Sequence, residues 1–172
     1  MKVLLAVDGS SFTKKMLAYL AAHDMYSPNN EYTVLTVQLL LPTQARTALG
    51  NELVDKYYED EAERVLDPVT KFLARHGINA ECAWKIGKPG ELISQSATEG
   101  KFDLVVMGSH GHSALINLVV GSVATEVLAA HLDEGLVSAL QDTLRANVDP
   151  RSRRHLPVHR QTALIELVEM VP

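Results

Sequence analysis

The most constraining stretch of the chain is Asp103 to Val123, DLVVMGSHGHSALINLVVGSV. A short Val-rich run, Leu104 to Met107, stops abruptly at Gly108. Four consecutive apolar residues bounded in this way fit a strand buried on both faces, which is the habit of parallel sheets covered by helices. Gly108 and Gly111 are separated by two residues, and nine more precede Gly121-Ser122, where a helical pattern begins. Glycine lets the backbone turn with positive φ and approach a ligand closely. Successive N–H groups in such a turn form an anion-binding concavity. A helix N-terminus adds unpaired N–H groups and partial positive charge. Ser122, at or near the N-cap, would add a hydroxyl. These residues alone fit either a phosphate site or a tight turn with close helix–sheet packing.

The rest of the chain repeats the alternation of aliphatic run and amphipathic helix. Lys2 to Val7 reads as a central strand that delivers Asp8 at its carboxyl end. Ligands of open α/β sheets bind there, although Asp8 followed by Gly9-Ser10 also suits a turn or a helix cap. Ser10 or Ser11 caps a helix to Ala22 with Phe12, Met16, Leu17 and Leu20 as its apolar face. Tyr32 to Leu40 is a second strand, and strand–helix–strand predicts parallel pairing. Leu41 to Gly50 reads as a loop. Asn51 to His76 reads as a long helix with the stripe Val54, Tyr58, Ala62, Val65, Leu66, Val69 and Leu73. Pro68 should kink or split it, and Gly77 should cap it. Ile78 to Ile86 is a third strand, with Cys82 and Trp84 as packing residues. Gly87-Lys88-Pro89-Gly90 opens a helix that stops at Gly100.

The glycine spacing after a Val-rich strand resembles the ATP-binding signature of the universal stress protein family. The opening MKVLLAVDGS resembles that family's first strand and its Asp, and GSHGHSALINLVVGSVATEVL resembles its glycine loop and last helix. GKPGELI is similar to its third strand-to-helix corner. The resemblance covers about residues 1 to 130. It implies a doubly wound, open parallel α/β sheet, Rossmann-like and of the adenine-nucleotide alpha-hydrolase type. The strand order would be 3-2-1-4-5, with the source of the fifth strand open. It implies that Ala6, Val7, Asp8 and Val37 meet adenosine, that Gly108, Ser109, His110, Gly111 and Gly121 wrap ribose and phosphates, and that Ser122 and Val123 meet the terminal phosphates. A Mg2+ or Mn2+ ion bridging the phosphates would be ligated mostly by nucleotide and water. A regulatory nucleotide-binding module in stress response is the function implied. The alternatives are a slow ATPase or nucleotidyl-transfer enzyme on the same fold, or an interaction protein that binds no nucleotide. No catalytic residue and no protein metal site are assigned: no G-x-x-x-x-G-K-[ST] loop occurs, and His110 and His112 lack a third ligand nearby.

Family members end the last helix near residue 131 and run into a fifth strand that often makes a homodimer. Here a helical stripe continues from Val123 to Leu144 instead. The division expected is therefore a nucleotide-binding domain over 1–131 and an atypical extension over 132–172. The extension carries a local basic patch, Arg151, Arg153, Arg154, His155, His159 and Arg160, and Thr162 to Val171 could supply the strand from a distance.

A net charge of -5 argues against general nucleic-acid binding. No apolar run reaches the roughly 18 residues of a membrane span. With no signal-peptide pattern and a single cysteine, a cytoplasmic protein is expected. Its partners would be the nucleotide, a second copy and a downstream protein.

Overall fold

The computed structural model describes residues 1–22, 25–108, 121–131 and 163–165. Five parallel strands lie in the order β3-β2-β1-β4-β5: β1 Lys2–Ala6, β2 Glu31–Gln38, β3 Ala80–Ile86, β4 Leu104–Met107 and β5 Ala163–Ile165. The helices are α1 Ser11–Ala22, α2 Thr43–Leu49, α3 Asn51–Arg75, α4 Pro89–Glu99 and α5 Ser122–His131. The fifth strand thus comes from the far end of the same chain, inside the segment Thr162 to Val171, and it covers the edge of β4 that would otherwise be unpaired.

β1 shows why the sheet is wound on both sides. Successive side chains of a strand point to opposite faces. Val3, Leu5 and Val7 enter one apolar cluster with Met16, Leu17 and Leu20 of α1 and Ala62, Leu66, Val69 and Leu73 of α3. Leu4 and Ala6 enter another with Ile93 and Ala97 of α4 and Ala124 and Val127 of α5. An unbroken aliphatic run is what such a doubly covered strand requires.

The stripe of α3 is buried as its spacing predicts, apart from Val65, which is only partly covered. Pro68 does not split the helix. It sits on the exposed face, so the carbonyl of Arg64 that loses its partner can be met by water. At the carboxyl end, Gly77 takes φ +71°, its N–H donates to the Ala74 carbonyl, and the Ile78 N–H donates to the Leu73 carbonyl. This paired closure is a Schellman motif, with Leu73 and Ile78 in one apolar cluster beneath it.

Three expectations are corrected. Residues 43–49 form a helix rather than a loop, started over Pro42 and ended at Gly50, with no residue buried. Without a buried stripe it has no apolar period to read. Thr13, not Phe12, faces the core of α1. Cys82 and Trp84 are exposed because β3 is an edge strand.

Leu73 is fully buried, so Leu73→Ala should lower unfolding free energy by about 3 kcal/mol. Gly77→Ala meets no atom within 4 Å and should cost only the strain of positive φ, about 1 kcal/mol. Urea unfolding of the two variants checks both the size and the order.

Candidate functional site

The strand order reverses direction at β1, between its neighbours β2 and β4. The crevice of an open α/β sheet lies outside the carboxyl ends of the strands at that switch point. The registers say which residues border it. Ala6 is level with Met107 on one side and with Leu35 on the other. Gly108 follows directly on Met107, and Asp8 and Val37 each stand two residues past the Ala6–Leu35 pair, so all three lie toward the carboxyl ends of their strands. Sequence positions some thirty and a hundred residues from Asp8 are therefore gathered at one end of the sheet. Val7 is buried, and its N–H donates to the Leu35 carbonyl at 2.9 Å, so its side chain serves the core. Val37 is half-buried and packs beside the second apolar cluster.

Asp8 is fixed by the start of α1. Its Oδ1 accepts from the Ser10 N–H at 2.9 Å and from the Thr13 hydroxyl at 2.8 Å. Thr13 Oγ1 in turn accepts from the Asp8 N–H at 3.2 Å. Ser10 Oγ accepts from the N–H groups of Phe12 and Thr13 and is the helix cap. Between them Gly9 has φ +76°, and a Cβ there would meet Val65 Cγ2 at 3.2 Å. The turn needs glycine for both reasons. Asp8 therefore has the structural role its turn-forming sequence suggests. The same bonds hold it rigidly at the mouth of the crevice.

α5 supplies the opposite wall. Its first turn packs against the strand ends, with Val123 and Ala124 beside the cluster that contains Ala6 and Met107. Gly121 is the cap: its carbonyl accepts from the Thr125 N–H at 2.9 Å and from the Thr125 hydroxyl at 3.0 Å. Ser122 is the first helical residue and is exposed. The expectation that Ser122 stands at or near the cap is refined by one position, which leaves its hydroxyl free of capping. The amides of Ser122, Val123 and Ala124 occupy the helix positions that have no intrahelical acceptor.

Ser109, His110 and Gly111 lie outside the described residues, as do the apolar residues 115–120, the helical stripe beyond His131 and the basic patch at 151–160. Lys88, in the turn before α4, donates to Glu91 at 2.6 Å on the surface. That bond, with the Glu91 charge, raises its pKa. Cys82 has its thiol pushed up by partial burial of the sulfur, which favours the unreactive protonated form. Among the described residues no group of three or more His, Cys, Asp or Glu could hold a metal ion, and no helix is long and apolar enough to cross a membrane.

The universal stress protein family model matches residues 1–131. The chain belongs to the universal stress protein family. Universal stress protein Slr1230 of Synechocystis is 31% identical over 127 residues, which are 74% of this chain and 38% of that longer protein. The chain thus spans well under half the length of that relative. Among solved structures, protein MJ0577 of Methanocaldococcus jannaschii is 25% identical, with a TM-score of 0.62, over 75% of this chain and 88% of its own. A universal stress protein from Arabidopsis thaliana with AMP bound shares the fold, with a TM-score of 0.54 at 17% identity, over 76% of this chain and 85% of its own. The family's Rossmann-like fold accounts for the parallel strand order 3-2-1-4.

Asp8→Ala in this universal stress protein removes the acceptor for one amide and one hydroxyl at the start of α1. It should cost about 1 to 2 kcal/mol of stability, read by thermal or urea unfolding. Asp8→Asn keeps an acceptor oxygen in place and should cost less.

Proposed function

We propose that this universal stress protein binds an adenine nucleotide, ATP in the first instance, at the switch point between β1 and β4. The observation that carries the proposal is the register. It sets Asp8, Val37 and Gly108 at one end of the sheet, and the packing of Val123 and Ala124 brings the electropositive start of α5 to the same end. Ala6, Val7, Asp8 and the Val37 backbone would receive adenosine. Gly108, Ser109, His110, Gly111 and Gly121 would follow the ribose and phosphates. The Ser122 hydroxyl and the Ser122 and Val123 amides would meet the terminal phosphates, because a helix start offers N–H donors without acceptors. Membership of the family supports this reading, and AMP in the Arabidopsis relative is consistent with it.

The start of α5 offers amides and the Ser122 hydroxyl, donors suited to phosphate oxygens, and among the described residues no group of three or more His, Cys, Asp or Glu could cage a bare cation. A Mg2+ or Mn2+ ion would therefore arrive with the nucleotide, held chiefly by phosphates and water. The activity proposed is that of a nucleotide-dependent regulatory module of the cytoplasm, working as a homodimer with a downstream protein, rather than a fast enzyme.

Equilibrium dialysis of labelled ATP tests it. The native chain should bind saturably. Gly108→Val places a branched side chain at the carboxyl end of β4, on the crevice, and should weaken binding at least about tenfold, equivalent to about 1.4 kcal/mol. Lys71→Ala, on the far surface of α3, should leave binding unchanged. No binding at millimolar ATP would refute the proposal.

A further inference from the structure

We propose that the free edge of β3 is a docking site for an extended, basic protein segment, which adds a strand beside Cys82 and Trp84 and lays an Arg or Lys side chain into the groove between Trp84 and α3.

β3 ends the sheet. The Gly87 N–H donates to the Gln38 carbonyl at 2.8 Å, so Lys85, Ala83 and Glu81, two, four and six residues back, also turn their backbone groups toward β2. Cys82 and Trp84 therefore turn their N–H and C=O groups outward. Such an edge is a ready template for strand addition. Beside it lies a groove of about 340 Å3 between the strand and α3. Its floor is apolar, made by Trp84, Ala62 and Leu66, and its rim is acidic, made by Glu59, Glu63 and Asp67. Trp84, although on a core-facing side of the strand, is 39% exposed.

These features fit one side-chain chemistry. Lys and Arg carry an apolar stem and a charged head, and they lay the stem on apolar surface while the head reaches polar groups. A Trp face attracts the same cations. Asp67 is engaged by Lys71 at 2.7 Å. Glu59 and Glu63 make no ion pair among the described residues and supply the complementary charge. A second copy of the chain satisfies the edge less well. Antiparallel pairing of two β3 strands about Ala83 would match Glu81 with Lys85 on one face. On the other it would bring both sets of Glu59, Glu63 and Asp67 to the same seam. Like charges meeting there oppose the association, so the groove selects a basic partner.

Trp84 is the only tryptophan of the chain, so its emission reports on this site directly. The full-length protein is titrated with a capped seven-residue peptide of alternating Arg and Val, and with the same peptide carrying Glu in place of Arg. The Arg peptide should change Trp84 emission saturably and slow hydrogen exchange at the Cys82 and Trp84 amides. The Glu peptide should do neither. Binding of the Arg peptide should weaken about tenfold in Glu59→Gln/Glu63→Gln, the combined loss of two partly exposed ion pairs. The comparison of the two peptides on the native chain decides the matter even if that variant misfolds. Equal response to both peptides, no response to either, or protection confined to other amides would overturn the proposal. So would an emission change on concentrating the protein alone that accompanies a doubling of its mass, since the occupant would then be a second copy.

Discussion

The structure depends on the double ladder of β1, paired in parallel with β2 on one side and β4 on the other. A parallel pair cannot be closed by a tight turn, so each pairing obliges the chain to cross over the sheet through a helix. The crossovers cover both faces, and β1 must then be apolar on both, as Leu4 and Leu5 show by being equally buried. The same ladder creates the switch point. β1 is followed in space by β2 in one direction and β4 in the other, and the loops that leave their carboxyl ends diverge. Burial of the aliphatic side chains from Val3 to Val7 and placement of the switch-point crevice are thus two consequences of one pairing.

Much of this is legible in the sequence, and the misses have a common cause. Runs such as Leu104 to Met107 and the seven-residue stripe of α3 carry their own period, because the sheet imposes burial on every turn. α2 is missed because nothing buries it. Trp84 is misjudged because whether a strand lies at an edge is decided by the order of strands, which no local pattern of β3 records. Thr13 stands at the core in place of Phe12 because it lies three, four and seven residues before Met16, Leu17 and Leu20 on one helix face, where its hydroxyl also donates to Asp8. At the site, Asp8, Gly108 and the start of α5 are readable as residue types. Their convergence is not, since it rests on registers between strands far apart in the chain. The family resemblance implies such a convergence. The fifth strand was legible only as a possibility, because Ala163–Ile165 has the length of a minimal strand and no neighbour in sequence to pair with.

The two ends of the sheet's chemistry are physically distinct. At the switch point the donors are amides at a helix start, which suits anions. On β3 the rim is carboxylate and the floor is indole and aliphatic, which suits cations with apolar stems. The net charge of -5 gives the surface its general bias, whereas the start of α5 presents backbone amides and the positive end of the helix dipole.

Amide resonances followed during an ATP titration examine the crevice most directly. Nucleotide seated there should move Asp8, Val37, Gly108, Ser122 and Val123 along one shared saturation curve while residues of the β3 edge stay still. Saturable shifts that spare these five amides, or no shift at any of them at millimolar ATP, would contradict a nucleotide site at the meeting of β1, β4 and α5.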